Sequence, residues 1–312
     1  MEVIQSTDNI ELNCKSVVTV GTFDGIHLGH RKLFERVKAI ADEKNFKSFI
    51  VTFDPHPRQV LSPENQPLLL SLKEDKIETL NNCRIDYLFI INFTKEFSQQ
   101  SYEKFVEDFL VKKLNLGMFV IGHDHKFGKD RKGDENRLRE LADKYNFEIE
   151  VVEPVVIDNE VISSTKIRNS LSKGEIKKAN KFLGREYSYT GRVVHGATRG
   201  RILGFPTANV EQADSQKIIP AGGVYAVRCN LEEKEYFGIM NIGFRPTFET
   251  GGKLVSEVHI FDFNEDIYNK EIKISFIDRL RDEKKFASKE ELIYQIERDK
   301  KKAIQIISTV IN

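Results

Sequence analysis

Cysteine is scarce: Cys14, Cys83 and Cys229 are the only three in 312 residues, and no two form a CxxC pair. So few thiols, odd in number and unclustered, argue against a disulfide framework and a cysteine-ligated zinc site, and they fit a reducing cytoplasm. The chain also lacks an excess of either charge, because 48 Lys+Arg balance 48 Asp+Glu. General nucleic-acid binders and polybasic membrane-surface proteins are usually more basic, so the balance speaks against both. Long apolar runs are missing too. The most hydrophobic strand-like stretch, DYLFIINF at 86–93, is far too short to span a bilayer. The first residues, MEVIQSTDNIELNCK, show no cationic start followed by an apolar stretch, so no secretory signal is expected. No internal repeat or low-complexity linker is found.

With 40% hydrophobic and 31% charged residues, the chain has an ordinary globular composition, and its length suits two domains. The first part alternates β-branched or aromatic runs (SVVTV, KSFIVTF, DYLFIINF, GMFVIG, FEIEVVEPV) with amphipathic segments at 30–45, 73–82, 100–115 and 133–146. Such alternation predicts a parallel sheet wrapped by helices, with ligands gathered outside the carboxyl ends of the strands. From YSYTGRVVHG at 187 onward the runs are short and turn-bounded: 222–230, 235–244, 253–263 and 271–280. These predict a small antiparallel barrel. A terminal helix follows from the capping box Ser288/Glu291 and the helical spacing of Leu292, Ile293, Ile296, Ala303, Ile304 and Ile307. The segment GEIKKANKFLGRE, 174–186, is expected to bridge the two domains.

The turn after SVVTV reads GTFDGIHLGH, residues 21–30. A helix N-terminus offers unpaired N–H groups and partial positive charge, both suited to phosphate. Gly21 and Gly25 permit a tight turn, and Gly29 removes a side chain where a ligand could approach the backbone. His27 and His30, three apart, lie on one helix face and can donate to negative charge developing on a phosphate. A metal pair and plain helix capping are the other readings, although no HExxH arrangement is present. A second phosphate-type segment, SSTKIR at 163–168, combines the hydroxyls of Ser163, Ser164 and Thr165 with Lys166 and Arg168. Further on, GRVVHGATRGRILGFPTAN (191–209) joins a loop with Gly196, Gly200, Arg199 and Arg201 to Thr207 and Asn209. The last two are hard oxygen ligands at alternate positions, reasonable partners for Mg2+ on a nucleotide.

The HxGH turn and the STxxR segment resemble those of the nucleotidylyltransferase superfamily. TFDPHP (52–57) and GHDHKFG (122–128) narrow the resemblance to the adenylyltransferase module of bifunctional bacterial riboflavin kinase/FAD synthetases. PTAN, PAGGVY (220–225), NIGFRPTF (241–248), EVHIFDFNEDIY (257–268) and RDEKKF (281–286) are similar, in order, to the riboflavin kinase module of the same family. The fold implied is α/β: a Rossmann-like nucleotidylyltransferase domain over 1–183, then a small antiparallel β-barrel with a terminal helix over 184–312.

The resemblance implies that FMN phosphate attacks the α-phosphate of ATP. His27 and His30 would stabilise the transition state, and Ser164, Thr165 and Arg168 would grip the outer phosphates. Gly21, Phe23, Asp24 and Gly29 would belong with the nucleotide, and His56, Asp124 and Phe127 with the flavin. In the second module Glu257 is implied as general base for the riboflavin 5′-hydroxyl, a neutral and poor nucleophile. Gly196 and Arg201 would serve ATP, Thr207 and Asn209 Mg2+, and Arg281 flavin. His125 and Lys126 depart from the family's usual aromatic and arginine, which bears on flavin affinity. Asn269 stands where Gly is usual, but Asn tolerates positive φ. Expected partners are riboflavin, FMN and ATP, without nucleic acid or membrane; assembly into a homo-oligomer stays open. Alternatives are another nucleotidyl transfer with a merely binding barrel, a tRNA-charging protein, and a flavin sensor without catalysis. A KMSKS-like segment and a basic stripe, which the second would need, are missing.

Overall fold

A computed structural model describes residues 1–5, 12–123, 135–195, 204–245 and 253–311. The chain forms two compact units, Met1–Ser164 and Thr165–Asn312.

The first unit is built on six parallel strands: β1 (Glu2–Ile4), β2 (Ser16–Val20), β3 (Lys47–Asp54), β4 (Tyr87–Asn92), β5 (Leu116–Gly122) and β6 (Glu148–Val152). Their spatial order is β1-β4-β3-β2-β5-β6, with every pairing parallel. The order reverses beside β2, where the chain leaves toward β3 on one side and later returns to β5 on the other. Such a reversal opens a crevice at the carboxyl ends of β2 and β5, and open α/β sheets bind ligands there.

Because both faces are covered, the strands are apolar on both. Val17, Ile50, Leu88, Ile90 and Val120 pack under α1 (Leu28–Lys44), whose Leu33, Phe34, Val37, Ile40 and Ala41 recur at helical spacing. Burying each of the larger side chains contributes about 1.5–3 kcal/mol. Asn45 ends α1 in the left-handed conformation, φ 53°, with its N–H donating to Ala41 and Asp42. Val18, Phe49, Phe89 and Phe119 face Tyr102, Phe105, Phe109 and Leu138 on the opposite side.

Two short helices, α2 (Pro57–Leu61) and α3 (Lys73–Asn81), connect β3 to β4. The helix expected over 100–115 is present but changes pitch. After a separate α4 (Lys95–Ser98), α5 (Tyr102–Phe105) continues without a break into wider turns over Val106–Val111, where Lys112 and Leu114 donate to carbonyls five residues back. The unit continues with α6 (Glu135–Tyr145) and a small hairpin, β7 (Val156–Ile157) with β8 (Glu160–Val161).

The second unit begins one residue into α7 (Ser164–Ser172) and continues with α8 (Ile176–Leu183). The segment expected to bridge the domains is therefore mostly helix, and it is fastened to the barrel. Asn180 donates its side-chain N–H to the Phe276 carbonyl and accepts from the Tyr187 N–H. Strands β9 (Tyr187–Val194), β10 (Ala208–Gln212), β11 (Gly223–Leu231), β12 (Lys234–Arg245), β13 (Lys253–Ile260) and β14 (Glu271–Arg281) close into an antiparallel barrel. Tyr189, Tyr225, Met240, Val258 and Phe276 are fully buried. On the outside, Ile239, Phe261, Ile277 and Leu280 pack with Ala303 and Ile307 of α9 (Lys289–Ile311). Ser288 caps that helix through the Glu291 N–H, while the Glu291 carboxylate turns back to the Ala287 N–H. Asn269 adopts φ 64°, the conformation that asparagine tolerates at this turn.

Two candidate active sites

The turn over residues 21–26 follows β2 at the reversal point of the sheet. Phe23, Gly25 and Ile26 have φ of 43°, 84° and 41°. A β-branched residue with positive φ is strained and persists only where its surroundings fix it. Here the fixing groups come largely from 69–76. The Asp24 carboxylate accepts from the Leu70 and Ser71 N–H groups at 3.0 Å, and the Gly25 N–H donates to Ser71 Oγ at 2.8 Å. The Thr22 carbonyl accepts from Thr52 Oγ1 at 3.2 Å and from Lys76 Nζ at 2.9 Å. Ser164 Oγ donates to the Asp24 carbonyl at 2.9 Å.

This turn delivers the histidines to the head of α1. His27 is the N-cap, and its Nδ1 accepts from the His30 N–H at 3.3 Å. Since Nδ1 accepts, the neutral ring carries its proton on Nε2. The two imidazoles stack with centroids 3.6 Å apart, and Phe23 meets His30 edge-on at 5.2 Å. Capping and a shared face are thus both present in the same pair. Gly21 makes room for Phe23: a Cβ there would stand 2.7 Å from the ring. Gly29 likewise makes room for His27, whose ring is 3.1 Å from where a Cβ would lie. The space expected for an approaching ligand at Gly29 therefore holds an imidazole.

Two other expected contacts are engaged locally. Asp24 is buried with its carboxylate accepting from the backbone N–H groups of Leu70 and Ser71, which shapes the loop. His56 is the buried N-cap of α2, accepting from the Arg58 N–H through Nδ1, while its own N–H donates to Gln59. Thr165 and Arg168 lie three apart on α7, in the second compact unit. Asp124, Phe127, His125 and Lys126, and likewise Gly196 and Arg201, lie outside the described residues.

In the barrel, strand pairing assembles a polar row. Asn209 of β10 is directly opposite Glu257 of β13, and Glu257 is directly opposite Asn241 of β12. Directly paired residues point to the same face, with Cβ atoms about 4.5–5.5 Å apart. The neighbouring row, Ala208–Val258–Met240, points the other way, and its Val258 and Met240 are fully buried. Glu257 is therefore on the outer face of the barrel, half-buried between two amides. On the same face of β13, His259 Nδ1 donates to the Pro206 carbonyl at 2.8 Å, fixing the residue before Thr207. Burial pushes His259 below the ordinary histidine value, outweighing the Pro206 bond that favours its charged form. Arg281 on β14 donates to buried Asp299 of α9 at 2.9 Å and lies over the Phe286 ring, so its guanidinium is held by the terminal helix.

Asn241, His259 and Lys76 were not singled out from the sequence. Asn241 and His259 sit in quoted motifs, but only strand register shows what they face. Lys76 carried no signal, since a lysine in KEDKIE reads as a solvated face.

Residues 9–166 match the family described as FAD synthetase, and residues 183–307 that described as riboflavin kinase. A Buchnera aphidicola bifunctional riboflavin kinase/FMN adenylyltransferase is 39% identical over 96% of this chain and 96% of its own length. The Bacillus subtilis protein of that name is 39% identical over 96% of this chain and 95% of its own. A solved structure from Streptococcus pneumoniae, described as a macrolide-efflux protein, superposes with TM-score 0.86 at 33% identity, covering 96% of this chain and 97% of its own. Among the described residues of the present chain no helix is long and apolar enough to cross a membrane.

Proposed function

Since the chain belongs to the bifunctional riboflavin kinase/FMN adenylyltransferase family, we propose that its two activities divide between the histidine turn after β2 and the Glu257 row of the barrel. The enzyme phosphorylates riboflavin to FMN and adenylylates FMN to FAD, each with ATP. The functional boundary in this reading is 183/184, later in the chain than the 164/165 boundary between the compact units. The observation that carries the division is that His27 and His30 belong to one compact unit and Thr207, Asn209 and Glu257 to the other.

In adenylyl transfer an FMN phosphate oxygen attacks the α-phosphorus of ATP, and the bond to the pyrophosphate oxygen breaks. The nucleophile is already anionic, so the site needs donors, not a base. His27 supplies Nε2–H, His30 a second ring beside it, and the head of α1 its backbone N–H groups. Ser164, Thr165 and Arg168 are assigned to the β- and γ-phosphates.

In phosphorylation the riboflavin 5′-hydroxyl attacks the γ-phosphorus, its proton passes to Glu257, and ADP leaves. ATP-dependent transfers of this kind generally need a divalent metal. We assign Mg2+ to Thr207 and Asn209: a hydroxyl and an amide oxygen are hard, neutral donors, suited to an ion whose charge is balanced mainly by nucleotide phosphates. When bound, the ion neutralises phosphate charge. The reducing cytoplasm, suggested by the three unpaired cysteines, is the proposed location.

The test separates products after incubation with riboflavin, ATP and Mg2+. His30→Ala should accumulate FMN, with FAD formation down about 10²–10³-fold. Glu257→Gln should fail on riboflavin yet convert supplied FMN. One substitution silencing both steps in a folded protein would refute the division.

A further inference from the structure

Lysine is among the residues least often buried, yet Lys76 is only 7% exposed. It lies one helical turn before Leu80 and shares the buried stripe of α3. Its ammonium donates to the Thr22 carbonyl at 2.9 Å. Burial pushes Lys76 below the ordinary lysine value, although Asp24 and Asp54 favour its charged form. Placing a cation here costs desolvation, and a methionine of similar length would fill the same space without that cost. The chemistry assigned to the histidines and to Glu257 leaves Lys76 unused.

The ammonium holds the entry to the backbone run with positive φ at Phe23, Gly25 and Ile26. Asp24 and Ser71 fix the middle of that run, and Lys76 and Thr52 fix the carbonyl just before it. A bond from an ammonium to a carbonyl is charge-assisted and stronger than a neutral one. The shape of the run in turn sets the Phe23 ring against His30 and brings His27 to the helix cap.

We propose that Lys76 is a positioning residue for adenylyl transfer: its buried ammonium, bound to the Thr22 carbonyl, holds the strained turn that aims His27 and His30. This rests on the reading of those histidines as the adenylyl-transfer groups. It separates kcat from KM for one activity and leaves the other alone, which a general loss of structure would not do. Losing the cation takes a donor from the Thr22 carbonyl and a counter-charge from buried Asp24, so the histidine geometry, and with it turnover in adenylyl transfer, is lost.

Lys76→Met and His30→Ala, made in the full chain, are assayed for FMN adenylylation, riboflavin phosphorylation and thermal unfolding. For Lys76→Met the expected kcat for FAD formation falls at least about 10-fold, with KM for FMN and ATP within about threefold. Phosphorylation is unchanged, and the melting curve shows a cooperatively folded protein at the assay temperature. An unaltered kcat, or an equal loss of both activities, overturns the proposal. If His30→Ala leaves FAD formation intact, the histidine reading itself fails and this inference goes with it. If only Lys76→Met is silent, the inference alone fails.

Discussion

Gly29 sets two effects of one methyl group against each other. In the first turn of α1, alanine is the better helix former by roughly 0.5–1 kcal/mol. The same Cβ would press on the His27 ring at 3.1 Å and push it by a few tenths of an ångström. Gly29→Ala is therefore expected to leave Tm unchanged or slightly raised while FMN adenylylation falls several-fold, since small misplacements of a catalytic group are costly. Parallel melting curves and FAD assays decide it; unchanged FAD formation would show that the ring has room to move. Residue type made the histidines, Thr207 and Asn209 legible as candidates, and the family resemblance added Glu257. What each side chain faces was not legible. Asp24 looks from sequence like any acidic group beside a nucleotide motif, but backbone donors from a segment 46 residues away claim its carboxylate.

Strand β13 joins the two halves of the barrel site, with Glu257 opposite the amides and His259 on the Pro206 carbonyl. Because burial lowers the His259 value in the folded protein, the unfolded chain binds more protons between that value and about 6.5. Stability of the barrel should accordingly decline as pH falls through that window and recover as pH rises above it. His259→Gln should flatten this part of the curve, measured by urea unfolding at pH 5–7.5; an unchanged slope would exclude His259 as its source. The elements themselves were largely legible, because continuous apolar runs and helical stripes mark β2–β5, α1 and α9. Others were not. The run over 100–115 is the helix its stripe predicts, but nothing in that stripe marks the wider turns over Val106–Val111. Polar ANVEQ gives no alternation to mark β10, which is a strand because β9 and β13 pair with it. β1 is three residues long, too short for any pattern.

At the scale of the whole chain, the two chemistries demand opposite things of their sites, a cradle of donors in one and a proton acceptor in the other. If each site works alone and FMN is released between them, His30→Ala and Glu257→Gln should complement each other. Mixed with riboflavin and ATP, the two variants are expected to form FAD after a lag that shortens with protein concentration; chromatography showing FMN but no FAD would contradict this. The barrel closes on itself, so its six strands leave no open rim for another chain to pair with. The parallel sheet has such margins within its own unit, at β1 and β6, and it is translated first. Chains caught half-made, or partly melted by heat, should thus stick to one another through the amino-terminal half, with the carboxy-terminal half a bystander to aggregation.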